Sequence, residues 1–353
     1  APSGSTPMPP PAPACDLIAL DVGGAALKAA DGRGGAWAMP FALWREWRRL
    51  PEAIADLVGP LAPARLVATM TGEIADCYPS RAAGVAAIVT ALEQAAAFVG
   101  CRSPVGIYTL DGRVVPAAEA VARPLAAAAS NWHALARLAA GLGAGRSGLL
   151  VDVGSTTTDI VPLTATGPEP LATDDAGRMR TGELVYTGIE RTPLPAVARS
   201  LPHGGVRRPV ASERFAESRD VWLLLGGLPE EADMRDTADG GPATREAARV
   251  RIARSMLLDP DAVAVAEAMA AAEHWADAQA RLVARALGRV AAARGQRPEV
   301  VVLSGHGHAL ARRALARTGW EVTVESLADR LGPAVSRVAP AHALAAIARG
   351  ELR

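Results

Sequence analysis

The chain has 353 residues, 50% of them hydrophobic and 21% charged, with a formal net charge of zero. That length suits two domains with real cores, and the composition excludes a disordered chain. The charge balance excludes a protein held to nucleic acid or an anionic membrane by a dominant field. No apolar stretch approaches the ~20 residues of a membrane span. Cys15, Cys77 and Cys101 show no CxxC or Cys/His metal spacing, which fits a reducing cytoplasm.

Residues 1–14, APSGSTPMPPPAPA, read as a disordered Pro-rich tail; they have neither the basic start nor the apolar core of a secretory signal. CDLIALDVGG then predicts a buried strand running into a tight turn. The stretches EAIADLVGPL, AGVAAIVTALEQAAAFVG and NWHALARLAAGLG carry apolar residues at helical spacing. GLLVDVGSTTTDIVPL (148–163) predicts strand, turn, strand. Set beside IALDVGG, its LLVDVGS aligns Asp152 with Asp21 and Gly154 with Gly23, a coarse internal repeat. Residues 163–188 read as loop-rich with strand pieces, a type of segment that often overhangs a site. Two helices are expected between about 243 and 295, and their Ala-rich stripes read as core packing. EVVVLSGHGHALARRAL (299–315) predicts a third strand-turn feeding a helix. Strands alternating with helices imply α/β layers.

The glycine turns suggest phosphate chemistry. A strand ending in Asp-x-Gly-Gly exposes backbone N–H groups and lets a phosphate approach closely. The candidate diphosphate ligands are Asp21, Gly23 and Gly24 at the first turn. At the second they are Gly154, Ser155, Thr156, Thr157 and Thr158, and at the third Gly305, His306 and Gly307. Asp21, Asp152 and Asp159 are candidate Mg²⁺ ligands, since a hard cation takes oxygen donors. Lys28 is the single lysine among 37 basic residues, seven positions after Asp21. A compact ammonium there could neutralise a phosphate oxygen, which a forked guanidinium would not do at the same point; chance placement is the alternative. His306 and His308 do not read as a zinc site.

The three glycine strand-turns together resemble the phosphate-1, phosphate-2 and adenosine motifs of the actin/sugar-kinase/Hsp70 class. That resemblance implies an α/β fold with two ribonuclease-H-like domains and a cleft between them. The expected division is 15–128 for the first domain and 129–340 for the second, with a helical insertion at 240–295. A C-terminal helix at 341–353 would pack back on the first domain. The blocks TMTGEIADCYPSRAAGV, AASNWHALA, VDVGSTTTDIVPL, RTGELVYTGIERTP and DTADGGPATREAARVRIAR resemble one branch of the hydantoinase A/oxoprolinase group, that of the tetrahydromethanopterin-linked C1-transfer pathway proteins.

That resemblance implies a transferase of methanofuran or methylofuran biosynthesis. It would join an aminomethylfuran-methyl diphosphate to the phenolic oxygen of a tyramine- or tyrosine-type γ-glutamyl acceptor and release pyrophosphate. Mg²⁺ is the implied cofactor; ATP is compatible with the fold class but not favoured. The partners are then these small molecules, with no nucleic acid and no membrane, and the oligomeric state is left open. Lys28 would act on the leaving diphosphate, and Asp76, Glu183, Asp236 and Asp239 are candidate proton acceptors, with N-caps or salt bridges as the alternative for each. Arg180, Thr181, Gly182, Tyr186 and Asp236 are candidate substrate contacts, with Arg191 a further guanidinium for a carboxylate. The rival readings are an ATP-dependent kinase or amide hydrolase, and a nucleotide-gated assembly module.

Overall fold

The computed structural model describes residues 15–143 and 145–352; the expected tail at 1–14 lies outside them. The described chain forms two compact units, one of residues 15–138 with 331–352 and the other of the described residues between 139 and 330.

The first unit is built on a sheet of six strands: β1 (Ile18–Val22), β2 (Ala26–Ala30), β3 (Ala36–Pro40), β4 (Leu66–Met70), β5 (Gly106–Tyr108) and β6 (Val114–Pro116). Their spatial order is β3-β2-β1-β4-β5-β6. β1 pairs antiparallel with β2 and parallel with β4. Both β1 and β4 are buried along their whole length, which is why each reads as a near-continuous apolar run rather than an alternating one. Helices Leu50–Val58 and Arg81–Phe98 supply Leu50, Ile54, Val85, Ile88 and Leu92 to the core beside Ile18, Leu20 and Leu66. Ser80 caps the second of these helices by accepting from the Ala83 N–H. The C-terminal helix Ala339–Ala348 belongs to this unit, and Arg349 just beyond it clamps Asp16 with two guanidinium nitrogens at 2.6 and 2.7 Å.

The second unit repeats the plan. β7 (Gly148–Val153), β8 (Thr158–Thr164), the short β9 (Gly167–Pro168) and β10 (Leu184–Val185) are followed by a separate hairpin of β11 (Ser200–His203) and β12 (Val206–Pro209), then by β13 (Val300–Gly305) and β14 (Thr323–Ser326). The main order is β10-β8-β7-β13-β14, with β7 antiparallel to β8 and parallel to β13. Two α/β units whose sheets share one order and one set of strand directions are the ribonuclease-H-like pair of the actin/sugar-kinase/Hsp70 class.

The two helices expected between about 243 and 295 run as Arg245–Ser255 and Val265–Ala293, preceded by the shorter helix Ser218–Leu224. The second has 29 residues, roughly 44 Å at 1.5 Å per residue. Its buried stripe runs through Ala268, Ala272, Ala276, Ala280, Val283, Leu287 and Val290, the three/four spacing of a core face. Trp275 fills that face completely and donates its indole N–H to the Leu194 carbonyl at 2.9 Å. No helix among the described residues is long and apolar enough to cross a membrane.

Candidate functional site

In the first unit the strand-turn closes tightly. The Gly23 N–H donates to the Ala26 carbonyl at 3.1 Å, and a Cβ on Gly23 would stand 2.9 Å from that same oxygen. A Cβ on Gly24 would meet nothing within 4 Å. Only the first glycine is demanded by sterics. The hairpin register sets Asp21 directly opposite Lys28.

Asp21 is 3% exposed. Burial pushes its carboxyl above the ordinary value, and the Lys28 charge and a hydrogen bond from the Asn131 side chain pull the other way. Its Oδ1 is buried without a hydrogen-bond partner among the described residues. A buried carboxylate oxygen with an open lone pair is the donor a divalent cation takes, so Asp21 fits Mg²⁺. Among the described residues no cluster of three or more His, Cys, Asp or Glu side chains is arranged to hold a metal.

Around Asp21 lies a polar row that sequence reasoning did not single out. Asn131 opens the helix Asn131–Leu142. Beside it Thr69 and Ser130, both fully buried, share a hydrogen bond of 2.8 Å, and Ser130 donates onward to the Tyr108 carbonyl at 3.2 Å. Glu73 is fully buried in the short turn Gly72–Ile74, while Asp76 nearby is exposed. The quoted blocks contained all of these; the signal was a hydroxyl, an amide and a carboxylate inside otherwise apolar runs. Cys77 is partly buried, with its thiol against the Leu43 carbonyl at 3.7 Å.

The second unit closes its turn the same way, Gly154 N–H to the Thr157 carbonyl at 3.0 Å. Here the following segment folds over the turn. The N–H groups of Glu190 and Arg191 both donate to the Ser155 carbonyl, and Ile189 donates to Gly154. Gly188 is obligatory, because a Cβ there would be 2.5 Å from the Ser155 carbonyl carbon. Ser155, Thr156 and Thr157 remain half-buried at the turn, whereas the Thr158 hydroxyl turns inward and donates to the Thr187 carbonyl at 2.8 Å. Gln279 interrupts the apolar stripe of the long helix for a reason. It accepts from the Trp222 indole and donates to Thr187 Oγ1 and the Gly188 carbonyl, fixing the segment over the turn.

The third turn joins this cluster. Gly305 has φ +77°, and a Cβ there would lie 2.2 Å from the Val153 carbonyl and 2.9 Å from Asp152 Oδ1. His306 Nε2 hydrogen-bonds Glu190 Oε1 at 3.0 Å. The other Glu190 oxygen accepts from the Arg219 guanidinium at 2.8 Å, and Arg219 is nearly buried. A carboxylate thus orients the imidazole and is itself held by a guanidinium. Sequence spacing could not show this, since the three residues lie far apart in the chain. Gly307 packs its Cα against Val153 and Ile189.

The remaining expected carboxylates have other work. Glu183 is fully buried; its two oxygens accept from the Leu171 and Ala172 N–H groups at 2.7 and 3.0 Å, and the Thr181 hydroxyl binds Oε2 at 2.8 Å. It ties residues 171–172, ahead of the helix Asp175–Thr181, to the strand that follows it. Asp159 lies across from Asp152 in the hairpin register and pairs at 2.9 Å with Arg178, whose side chain is 1% exposed. It neutralises that guanidinium and is not arranged as an open metal ligand. Asp239 meets Arg251 at 3.0 Å, Arg254 at 3.2 Å and the Gly241 N–H at 3.0 Å. Burial pushes its carboxyl up, but the Gly241 N–H and the guanidiniums outweigh it and leave it lowered, a poor proton acceptor. Asp236 is 64% exposed and pairs with Arg191 at 3.5 Å. Arg180 is exposed, and Tyr186 is 66% exposed beside Gly182 at the mouth of a pocket.

Residues 65–350 match the family model described as hydantoinase/oxoprolinase. The chain is 29% identical over 340 residues to the (4-{4-[2-(γ-L-glutamylamino)ethyl]phenoxymethyl}furan-2-yl)methanamine synthase of Methanocaldococcus jannaschii, covering 95% of this chain and 98% of that protein. A synthase of the same name from Methanococcus vannielii is 29% identical over 206 residues, 58% of this chain and 91% of that one. Among solved structures, a ROK family protein from Streptococcus pneumoniae in complex with sucrose superposes with a TM-score of 0.43 and 10% identity, covering 95% of this chain and 99% of that one.

Proposed function

The chain belongs to the hydantoinase/oxoprolinase family, and on that premise we propose that it is a transferase of methanofuran-type biosynthesis that forms an aryl ether. The observation that carries this reading is the collinear likeness over 98% of a synthase whose named product contains a phenoxymethylfuran. In the proposed step the bond between a furan-bound methylene and a diphosphate oxygen breaks. The phenolic oxygen bonds to that carbon, pyrophosphate leaves, and the phenol proton passes to a base on the protein.

The furan ring can share positive charge at its methylene carbon, so the leaving bond can lengthen first. What the protein must then supply is stabilisation of the departing anion. In the first unit that work falls to Lys28, a point charge beside Asp21. Asp21 would be the residue that holds Mg²⁺, whose positive charge would offset that of the leaving group. In the second unit the Gly154–Thr157 turn offers backbone N–H groups and the Ser155 and Thr156 hydroxyls to phosphate oxygens.

The proton acceptor we assign is His306, oriented by Glu190, which Arg219 in turn holds. Phenol has an ordinary pKa near ~10, so transfer to imidazole becomes favourable only as the methylene carbon develops its charge. His306→Asn should therefore lower kcat while leaving the donor KM nearly unchanged. Glu190→Gln, which keeps the imidazole but loses the carboxylate that orients it, should lower kcat less.

The direct test incubates the protein with Mg²⁺, aminomethylfuran-methyl diphosphate and γ-glutamyltyramine, without ATP. Pyrophosphate release together with the ether mass is the expected result. ATP hydrolysis with no ether in any mixture would return the chain to the kinase or amide-hydrolase class.

A further inference from the structure

A pocket of about 440 Å³ opens in the second unit beside β10, bounded by the helix Asp175–Thr181 and the C-terminal half of the long helix Val265–Ala293. Its body is apolar, with Met179, Leu184, Leu282 and Ala286 on the walls. Its inner end is the buried pair Thr187 and Thr192, whose hydroxyls lie 2.9 Å apart. Those threonines flank Gly188, the residue that rests on the Ser155 peptide of the glycine turn.

The rim has a different character. Arg285 and Arg289 stand one turn apart on the same helix face, and no acidic residue lines the pocket. Neither guanidinium has a hydrogen-bond or ion-pair partner among the described residues. Elsewhere in this unit Arg178, Arg219, Arg251 and Arg313 each meet a carboxylate. Arg289 is also placed rather than loose. Gly182, at φ +90°, would put a Cβ 3.3 Å from Arg289 Cδ, so the glycine makes room for the arginine stem. Tyr186 lines the same pocket at 66% exposure, and Met179 at 50%.

An apolar slot with an exposed aromatic ring, ending in two unmatched guanidiniums, selects a flat apolar body with a negative end and rejects a positive one. We propose that this pocket binds an aromatic carboxylate, with Tyr186 against the ring and Arg285 and Arg289 on the carboxylate. Resting on the transferase reading, the occupant is the phenolic acceptor, and its acidic tail is the part recognised here. The pocket then sets acceptor specificity by charge.

The test uses two phenols of nearly the same shape and opposite charge, 3-(4-hydroxyphenyl)propanoate and tyramine, in equilibrium binding to the whole protein. The carboxylate should bind at least ~10-fold more tightly, and its affinity should fall with added salt. Arg285→Gln combined with Arg289→Gln should abolish the preference; both residues are exposed, so the fold survives the change. Tyr186→Ala should weaken the carboxylate several-fold. Equal binding of the two phenols, or a preference unchanged in the double variant, overturns the assignment. These readouts need no turnover, so failure of ether synthesis would strike the transferase reading and leave the pocket result standing. Where ether synthesis succeeds, the double variant should raise the KM for γ-glutamyltyramine and leave the KM for the furan diphosphate unchanged.

Discussion

The two antiparallel hairpins that begin the two sheets are built alike and charged differently. In each, an aspartate sits two residues before a glycine whose N–H closes the turn, at 3.1 Å in one and 3.0 Å in the other. In each, the register sets that aspartate opposite the residue seven positions later. That residue is Lys28 in the first hairpin and Asp159 in the second. The first hairpin thus sets a lysine across the register from a buried carboxylate, with one carboxylate oxygen still open. The second holds two carboxylates and imports Arg178 from a neighbouring helix to neutralise one of them. The same turn closure and register therefore carry a carboxylate opposite a lysine in one unit and two opposed carboxylates in the other.

Six substitutions and one change of pH would break or sharpen this contrast. Lys28→Ala should cost about 100-fold or more in kcat while thermal unfolding stays unchanged, and Lys28→Arg should fail to restore the loss because a planar fork cannot replace a point charge. Full activity in the alanine variant would remove the lysine from the mechanism. Asp159→Ala should do the reverse: it removes the carboxylate facing a buried guanidinium and should lower stability by about 3 kcal/mol in denaturant unfolding. Asp21→Asn is its counterpart and should lose activity without losing stability, because the amide keeps the shape of the side chain and no buried guanidinium relies on Asp21 as Arg178 relies on Asp159. Equal destabilisation by both would erase the distinction.

Gly305→Ala should cost about 2 kcal/mol or more, combining a left-handed backbone with an overlap on the Val153 carbonyl. Gly24→Ala should be close to neutral by the same measurement, since its Cβ would enter open space.

The smallest effect concerns acid. Burial holds His274, His308 and His342 below the ordinary histidine value. The unfolded chain takes up these protons near pH ~6.5, before the folded chain does. Stability should therefore be full above that pH and fall by about 1 kcal/mol as pH drops below it. A melting temperature that is flat between pH 7.5 and 5.5 would count against this.

The alternation of strands and helices was legible because buried strands and amphipathic helices leave periodic marks. The repeat of Asp21 and Gly23 in Asp152 and Gly154 was legible because tight turns leave so few residue choices. The site was less so. Glu190, Arg219 and His306 come together only through sheet order, and no spacing rule predicts which arginine meets which carboxylate. Asp159 looked like a metal ligand because its guanidinium partner lies on a helix 19 residues later in the chain. Arg285 and Arg289 were hidden in an Ala-rich helix whose stripe correctly reads as core; their outward face acquires meaning only beside Gly182. Gln279 was overlooked for the same reason, one polar side chain in an apolar stripe, although it holds three partners.

One lysine in a chain otherwise furnished with arginine has a practical corollary. An acylating reagent that seeks side-chain amines finds a single target, on β2, facing Asp21. The rate at which that one nitrogen is labelled becomes a direct gauge of what occupies its surroundings, readable by mass on the intact protein without any engineered tag.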